Sequence, residues 1–151
     1  MNNAVSSALA LVVACTAVPV FGQSISASEL VLGGIAMGQH ERTVMQRLGA
    51  PLSRTDSDEG FTLAYAGLHV DVGAGDFGVH EVVSTNAKYC TPSMLCPGMS
   101  EAQVQHLYGK PVLVQRATGR FLEYQPPGST CWLQISAPKG IVKSLRVACQ
   151  P

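Results

Sequence analysis

The fold prediction for this chain starts from residues 98–111, which read GMSEAQVQHLYGKP. The same pattern stands 60 positions earlier (98 minus 38), because residues 38–51 read GQHERTVMQRLGAP and keep the glycine, the valine and the closing Gly-x-Pro in step. A Leu-x-Tyr sequence follows each stretch, ending at Tyr65 and at Tyr124. A fixed period of this size predicts two tandem copies of one supersecondary unit.

Each copy begins with the signals of a short helix. Ser100 and Gln103 have the spacing of a capping box, in which each side chain bonds the backbone of the other residue. Gly109 is typical of the left-handed residue that ends a helix, and Pro111 prevents its continuation. His40 takes the cap position in the earlier copy, and since histidine caps less well than serine, we expect that helix to fray more.

After each helix the apolar period changes to two, which is typical of half-buried β-strands. We therefore predict an α+β fold of two tandem helix-plus-three-strand-meander repeats. They would form a two-layer sandwich with the helices on one face of an antiparallel sheet of about six strands. Repeat 1 is predicted at 34–92 and repeat 2 at 93–151, after a linker at 23–33.

The N-terminus has the pattern of an export signal. Positions 4–22 carry no charged residue and end on small residues, which predicts a secretory signal peptide over 1–22. A second interpretation uses Val12-Val13-Ala14-Cys15, which resembles a bacterial lipobox; the signal would then be 1–14, with Cys15 acylated. A cysteine placed there by chance is the alternative. We expect a periplasmic or secreted protein, with an outer-membrane lipoprotein as the other possibility.

Four further cysteines predict two disulfides in an exported chain. Cys131 is predicted to pair with Cys149, because the start of one strand lies beside the end of the next in an antiparallel meander. Cys90 is predicted to pair with Cys96 and to close a small loop where the two repeats meet. No metal site is expected, since the spacings lack the paired C-x2-C knuckles of zinc sites.

Charge narrows the classes of partner. Ten basic and ten acidic residues cancel, so nothing favours a nucleic acid or an anionic membrane surface. The two halves differ, because residues 34–92 hold four basic and seven acidic side chains, whereas 93–151 hold six basic and two acidic. The halves dock on each other, or the charge difference arose by drift without a role, or the protein presents a bipolar surface to a partner; the first two are favoured.

Signals of catalysis and cofactors are weak. Residues 73–78 spell G-x-G-x-x-G, but they connect two predicted strands instead of opening a helix, so a hairpin turn is the prediction. His69 and Asp71 share one strand face and would suit a general-base pair if a serine or cysteine lay opposite, but a solvated strand face is the favoured interpretation. We expect no enzymatic activity, no catalytic residue and no cofactor.

The predicted open face of the sheet is the candidate binding surface. Strand alternation directs one set of side chains away from the helices, and these are Trp132, Phe121, Arg146, His69, Asp71, Glu123 and Gln134. An exposed Trp and Phe beside Arg is typical of a protein interface. The alternative is that Trp132 and Phe121 pack under the N-terminal segment or a long hairpin.

These motifs also resemble a known family. The matching residues are Gly98-Met99-Ser100, Val104, Gly109-Lys110-Pro111, Tyr124 and Gly140-Ile141. In this pattern the chain resembles the SmpA/OmlA/BamE type of outer-membrane lipoprotein and is similar to the β-lactamase inhibitory protein family. The resemblance implies a non-enzymatic exported protein that binds another protein.

Three classes of function follow in order. The first is a protein-binding module of the bacterial envelope. Its partner would be an exported hydrolase, for an inhibitor or immunity-like role, or an outer-membrane assembly component, for envelope maintenance. The second is a structural envelope lipoprotein without a tight protein ligand. The third is a small periplasmic hydrolase.

Overall fold

A computed structural model describes residues 24–150. The predicted signal peptide (1–22 or 1–14) and the candidate lipidation site Cys15 lie outside the described residues. The described residues contain no helix that is long and apolar enough to cross a membrane.

The described chain is mostly β-structure with two short α-helices. The helices are α1 (Glu41–Leu48) and α2 (Glu101–Tyr108). The strands are β1 (Val31–Leu32), β2 (Ile35–Ala36), β3 (Ser53–Ser57), β4 (Gly60–Tyr65), β5 (Leu68–Gly73), β6 (Gly78–Ser84), β7 (Val112–Arg116), β8 (Gly119–Tyr124), β9 (Cys131–Ser136) and β10 (Ser144–Cys149). Short 3-10 turns occupy Ala27–Glu29 and Pro138–Gly140.

Eight of the strands form one antiparallel sheet in the order β3-β4-β5-β6-β10-β9-β8-β7, and β1 pairs with β2 in a separate hairpin. The predicted fold of two tandem helix-plus-three-strand-meander repeats is therefore wrong. Four strands follow each helix, and β3 and β7 are the strands that were not predicted. Both lie at an edge of the sheet, pair on one side only, and lack the alternating burial that marks a half-buried strand.

Both helices pack on the same face of the large sheet, which we call the inner face. Val44 of α1 and Val104 of α2 are fully buried in one core with the inner-face side chains. The β1–β2 hairpin adds Leu32 and Ile35, which are also fully buried. Burying each such side chain contributes about 1.5–3 kcal/mol. Residues 24–36 thus belong to the inner side of the fold.

The ends of the helices follow the predicted local chemistry. The capping box is complete, since the Gln103 N–H donates to Ser100 Oγ at 3.2 Å and the Ser100 N–H donates to Gln103 Oε1 at 2.9 Å. His40 makes no side-chain cap bond. The spacing that the two tyrosines share within this chain also has a local cause. The Tyr124 hydroxyl donates to the carbonyl of Gly109 at 2.8 Å, as the Tyr65 hydroxyl does to Gly49 at 3.2 Å.

The structure forms both predicted disulfides. Cys90 bonds Cys96 across the loop between β6 and α2, and Cys131 bonds Cys149 between paired positions of β9 and β10. The glycine-rich segment 73–78 joins β5 to β6 as a hairpin, as predicted. Gly78 has a positive φ of 66°, and a Cβ there would lie 2.6 Å from the carbonyl oxygen of Gly38, so this position admits only glycine.

Candidate functional site

Strand register brings the predicted partner-binding residues onto the other face of the large sheet, which we call the outer face. One row of paired positions crosses six strands and contains His69, Val83, Arg146, Gln134, Glu123 and Val112. The next row contains Asp71, Glu81, Ala148 and Trp132. Phe121 lies on the opposite side of the first row, paired with Ser136. The predicted residues therefore share one surface.

These side chains differ in how far they reach solvent. His69 is exposed, whereas Trp132, Phe121, Asp71 and Glu123 are half-buried. Gln134 lies on the outer face by register, yet only 5% of it is exposed. Residues 24–36 pack on the inner side, so within the described chain the N-terminal segment does not cover Trp132 or Phe121.

An ion pair at the centre of the outer face joins the two middle strands. Arg146 Nη2 of β10 lies 2.5 Å from Glu81 Oε2 of β6. The hydrogen bond to Glu81 raises the pKa of Arg146, partial burial acts in the other direction, and the carboxylates of Asp71 and Glu123 add to the rise. Arg146 is therefore a fixed cation among three carboxylates.

Beside this pair lies a cleft that we call the Trp132 crevice. Its volume is about 210 Å³, and its lining residues are Val112, Arg116, Glu123, Gln125, Trp132 and Gln150. Arg116 Nη2 lies 2.7 Å from Glu123 Oε1, and the same oxygen accepts a hydrogen bond of 2.6 Å from Gln134 Nε2. The buried indole N–H of Trp132 finds no acceptor within residues 24–150. The crevice thus combines an aromatic wall, an aliphatic side chain and an ion pair.

The structure does not assemble His69 and Asp71 into a general-base pair. Asp71 Oδ1 instead accepts a hydrogen bond of 2.5 Å from the Thr62 hydroxyl. Among the described residues, no three His, Cys, Asp or Glu side chains are grouped as metal ligands.

A buried polar cluster on the inner side was missed by the sequence analysis. The Tyr108 hydroxyl donates to Glu29 Oε2 at 2.5 Å and bonds the Thr91 hydroxyl at 2.6 Å, and the Ser93 hydroxyl donates to Glu29 Oε1 at 2.8 Å. Burial, then the hydrogen bond to Glu29, raises the pKa of Tyr108. The cluster ties the first turn of the described chain to α2 and to the loop closed by Cys90 and Cys96.

One signal in the sequence pointed to this cluster. Glu29 is the only Asp, Glu, Lys or Arg in residues 1–40. A lone charge in such a segment needs partners when it is buried. Its partners lie 64 and 79 positions away, so no local pattern identifies them.

Comparison with known proteins finds no matching family model and no matching curated protein. Solved structures do match. An extracellular protein containing a SCP domain from Bacillus anthracis str. Ames has a TM-score of 0.54 at 11% identity, over 93% of this chain and 50% of that one. A cysteine-rich secretory protein from Staphylococcus aureus subsp. aureus Mu50 has a TM-score of 0.53 at 13% identity, over 76% of this chain and 43% of that one.

These neighbours correct the predicted resemblance. The chain is similar in fold to parts of these two proteins, and the resemblance to SmpA/OmlA/BamE lipoproteins and to the β-lactamase inhibitory protein family is wrong. The chain spans about half the length of the solved structures it matches. At identities this low the likeness concerns the fold alone.

Proposed function

We propose that this chain is an exported, non-enzymatic protein-binding module that holds its partner on the outer face, around the Trp132 crevice. Export is supported by two disulfides, which persist in oxidising compartments, and by fold neighbours that are an extracellular and a secretory protein. The proposed export covers three destinations, namely the periplasm, the outer membrane and the external medium.

One observation carries the binding role. The outer face gathers Trp132, Phe121 and Arg146 on adjacent rows, and both described helices lie on the opposite side of the sheet. Trp and Arg are the residues most enriched among the energetically dominant contacts of protein interfaces. A half-buried Trp beside a crevice offers a partner a rigid apolar wall that loses little entropy on binding.

The state of the carboxylates favours recognition over catalysis. Glu81 is engaged by Arg146, Glu123 by Arg116, and Asp71 by Thr62. A general acid or base must be free to reach a proton of the substrate. Carboxylates held in fixed pairs instead present a pattern of charge that a partner surface can match.

The proposed partner is a protein that matches the outer face in shape and charge. The two earlier candidates, an exported hydrolase and an outer-membrane assembly component, came from a resemblance that the fold comparison overturns. The outer face itself supports only a protein ligand of complementary shape and charge.

The test is affinity capture with a matched aromatic control. The disulfide-intact protein is used to capture partners from extracellular and envelope fractions under non-reducing conditions, alongside Trp132→Ala and Phe77→Ala. Phe77 is 84% exposed at the tip of the β5–β6 hairpin, away from the crevice. We expect Trp132→Ala to cost about 2 kcal/mol or more in the binding of a captured, purified partner, roughly 30-fold in Kd.

The control is expected to bind like the wild type. Equal binding by wild type and Trp132→Ala would contradict the proposal. If Trp132→Ala unfolds, Trp132→Phe keeps the packing, and an unchanged Kd for both Trp132→Phe and Phe121→Ala would contradict it as well.

A further inference from the structure

We propose that β7 is the docking edge of this module. An extended segment of the partner protein, alternating aliphatic and acidic side chains, would pair with β7 as an added strand and place its outer-face side chains over the Trp132 crevice. This inference rests on the proposed function and names its binding mode and the chemistry of its ligand.

The two edges of the large sheet differ in how they are protected. All five residues of β3 are exposed, and Arg54 within it is held by ion pairs to Glu41 and Asp56 at 2.6 and 2.9 Å. Charged side chains of this kind are a common defence of an edge strand against unwanted pairing. The sequence of β7 is VLVQR, with Val112 51% and Leu113 59% exposed. An apolar edge of this kind is a ready template for another strand.

The edge is continuous with the crevice. Val112 and Arg116 belong to β7 and also line the Trp132 crevice, and Val112 pairs with Glu123 of β8. Because side chains alternate along a strand, every second residue of an added strand would lie on the outer-face side, next to Val112 and above the crevice. Backbone bonds would then supply affinity, and the crevice would select the side chain, as in other cases of strand addition.

The charge of this half identifies the ligand as acidic. Within the described part of residues 93–151, both carboxylates are in ion pairs, Glu101 with Arg120 and Glu123 with Arg116. Lys110, Lys139 and Lys143 form no ion pair with a described residue. These three lysines leave this half of the chain with an unbalanced positive charge. Lys110 lies just before β7, and Lys139 and Lys143 lie in the connection between β9 and β10. An acidic segment would be attracted, and the attraction would weaken with salt.

The experiment selects peptides against the whole protein. A displayed library of random peptides of about ten residues, the upper length of a typical strand, is selected on the disulfide-intact protein. The enriched peptides are then synthesised as probes. We expect them to alternate aliphatic and acidic residues, to bind more weakly at high salt, and to protect the amides of residues 112–116 from hydrogen exchange.

Lysine substitutions test the edge directly. Val112 and Leu113 are exposed and lie on opposite faces of β7. Val112→Lys and Leu113→Lys are each expected to raise the Kd of the selected peptide by about tenfold or more. Leu52→Lys is the matched control, because Leu52 is 77% exposed just before the other edge strand. It should leave the Kd unchanged within about twofold.

Several results would overturn the proposal. These are the absence of an enriched peptide, enriched peptides that are basic or do not alternate, wild-type affinity of both Val112→Lys and Leu113→Lys for the selected peptide, and protection from hydrogen exchange outside β7. Self-association in analytical ultracentrifugation that Leu113→Lys abolishes would assign the edge to a second copy of this chain and would also refute the proposal. Loss of partner capture by Trp132→Ala, with capture retained by both β7 variants, would leave the proposed function standing and this inference refuted.

Discussion

Replacing Glu29 with Gln is expected to lower the free energy of unfolding by about 2–3 kcal/mol. The carboxylate accepts from the Tyr108 hydroxyl at 2.5 Å and from the Ser93 hydroxyl at 2.8 Å, and Glu29 is only 9% exposed. A hydrogen bond to a charged group contributes about 1.5–3 kcal/mol and one between neutral groups about 0.5–1.5. Exchanging the two short bonds for neutral ones therefore removes about 1–1.5 kcal/mol each; the third bond, from the Ser93 N–H, is longer at 3.3 Å and is not counted.

The assay is urea denaturation of the protein with both disulfides intact, monitored by fluorescence and by circular dichroism. The midpoint should fall with an unchanged dependence on urea, which marks a loss of stability without a change of fold. Glu59→Gln is the control, because Glu59 is exposed in the turn between β3 and β4, and a surface substitution of this kind stays within about 0.5 kcal/mol of the wild type.

A double-mutant cycle decides whether the cluster acts as a unit. Glu29→Gln and Tyr108→Phe remove the two ends of one bond, so their combined effect should fall short of the sum by about 1 kcal/mol or more. A Glu29→Gln protein as stable as the wild type, or strict additivity in the cycle, would refute a stabilising role for the buried polar cluster around Glu29.

Two further predictions concern the helix ends and the buried tyrosines. Ser100→Ala should lower the free energy of unfolding by about 1 kcal/mol because it removes a cap bond, whereas His40→Ala should have almost no effect; equal losses in urea denaturation would contradict this. Burial raises the pKa of both Tyr108 and Tyr124 above the ordinary value of 10.0, so the folded state keeps these protons longer than the unfolded state. The stabilisation that this difference in pKa provides should therefore be fully present below about pH 10 and be lost as the pH rises above it. The free energy of unfolding, measured by denaturation at about pH 9 and about pH 11, should fall less between these values in Tyr108→Phe than in the wild type.

The sequence predicted those features that depend on near neighbours. The capping box joins Ser100 to Gln103, and the helix ends within one turn at Gly109, so both are visible in a short window. The disulfide of Cys131 and Cys149 also followed, because an antiparallel pair of strands places the start of one beside the end of the other.

Prediction from the sequence failed for two kinds of feature: contacts between residues far apart in the chain, and edge strands, which have a neighbouring strand on one side only. An edge strand has one paired side and two exposed faces, so Ser53–Ser57 shows no apolar alternation and reads as a loop. The Glu29 cluster joins residues 64 and 79 positions apart, which no local pattern records. The wrong family resemblance has a similar origin. Its Gly-x-Pro and tyrosine motifs describe how a tyrosine hydroxyl binds the carbonyl at a helix end, and that local device does not specify a family.

The arrangement of stabilising contacts supports the outer face as the proposed binding surface. The two helices, the β1–β2 hairpin and the Glu29 cluster all act on the inner side, where they complete the core. On the outer face, Arg146 and Glu123 are held in ion pairs that remain partly exposed, with 37% and 18% of their side chains accessible. Side chains held in one geometry by ion pairs, beside an aromatic crevice and an apolar edge strand, suit the recognition surface that we propose.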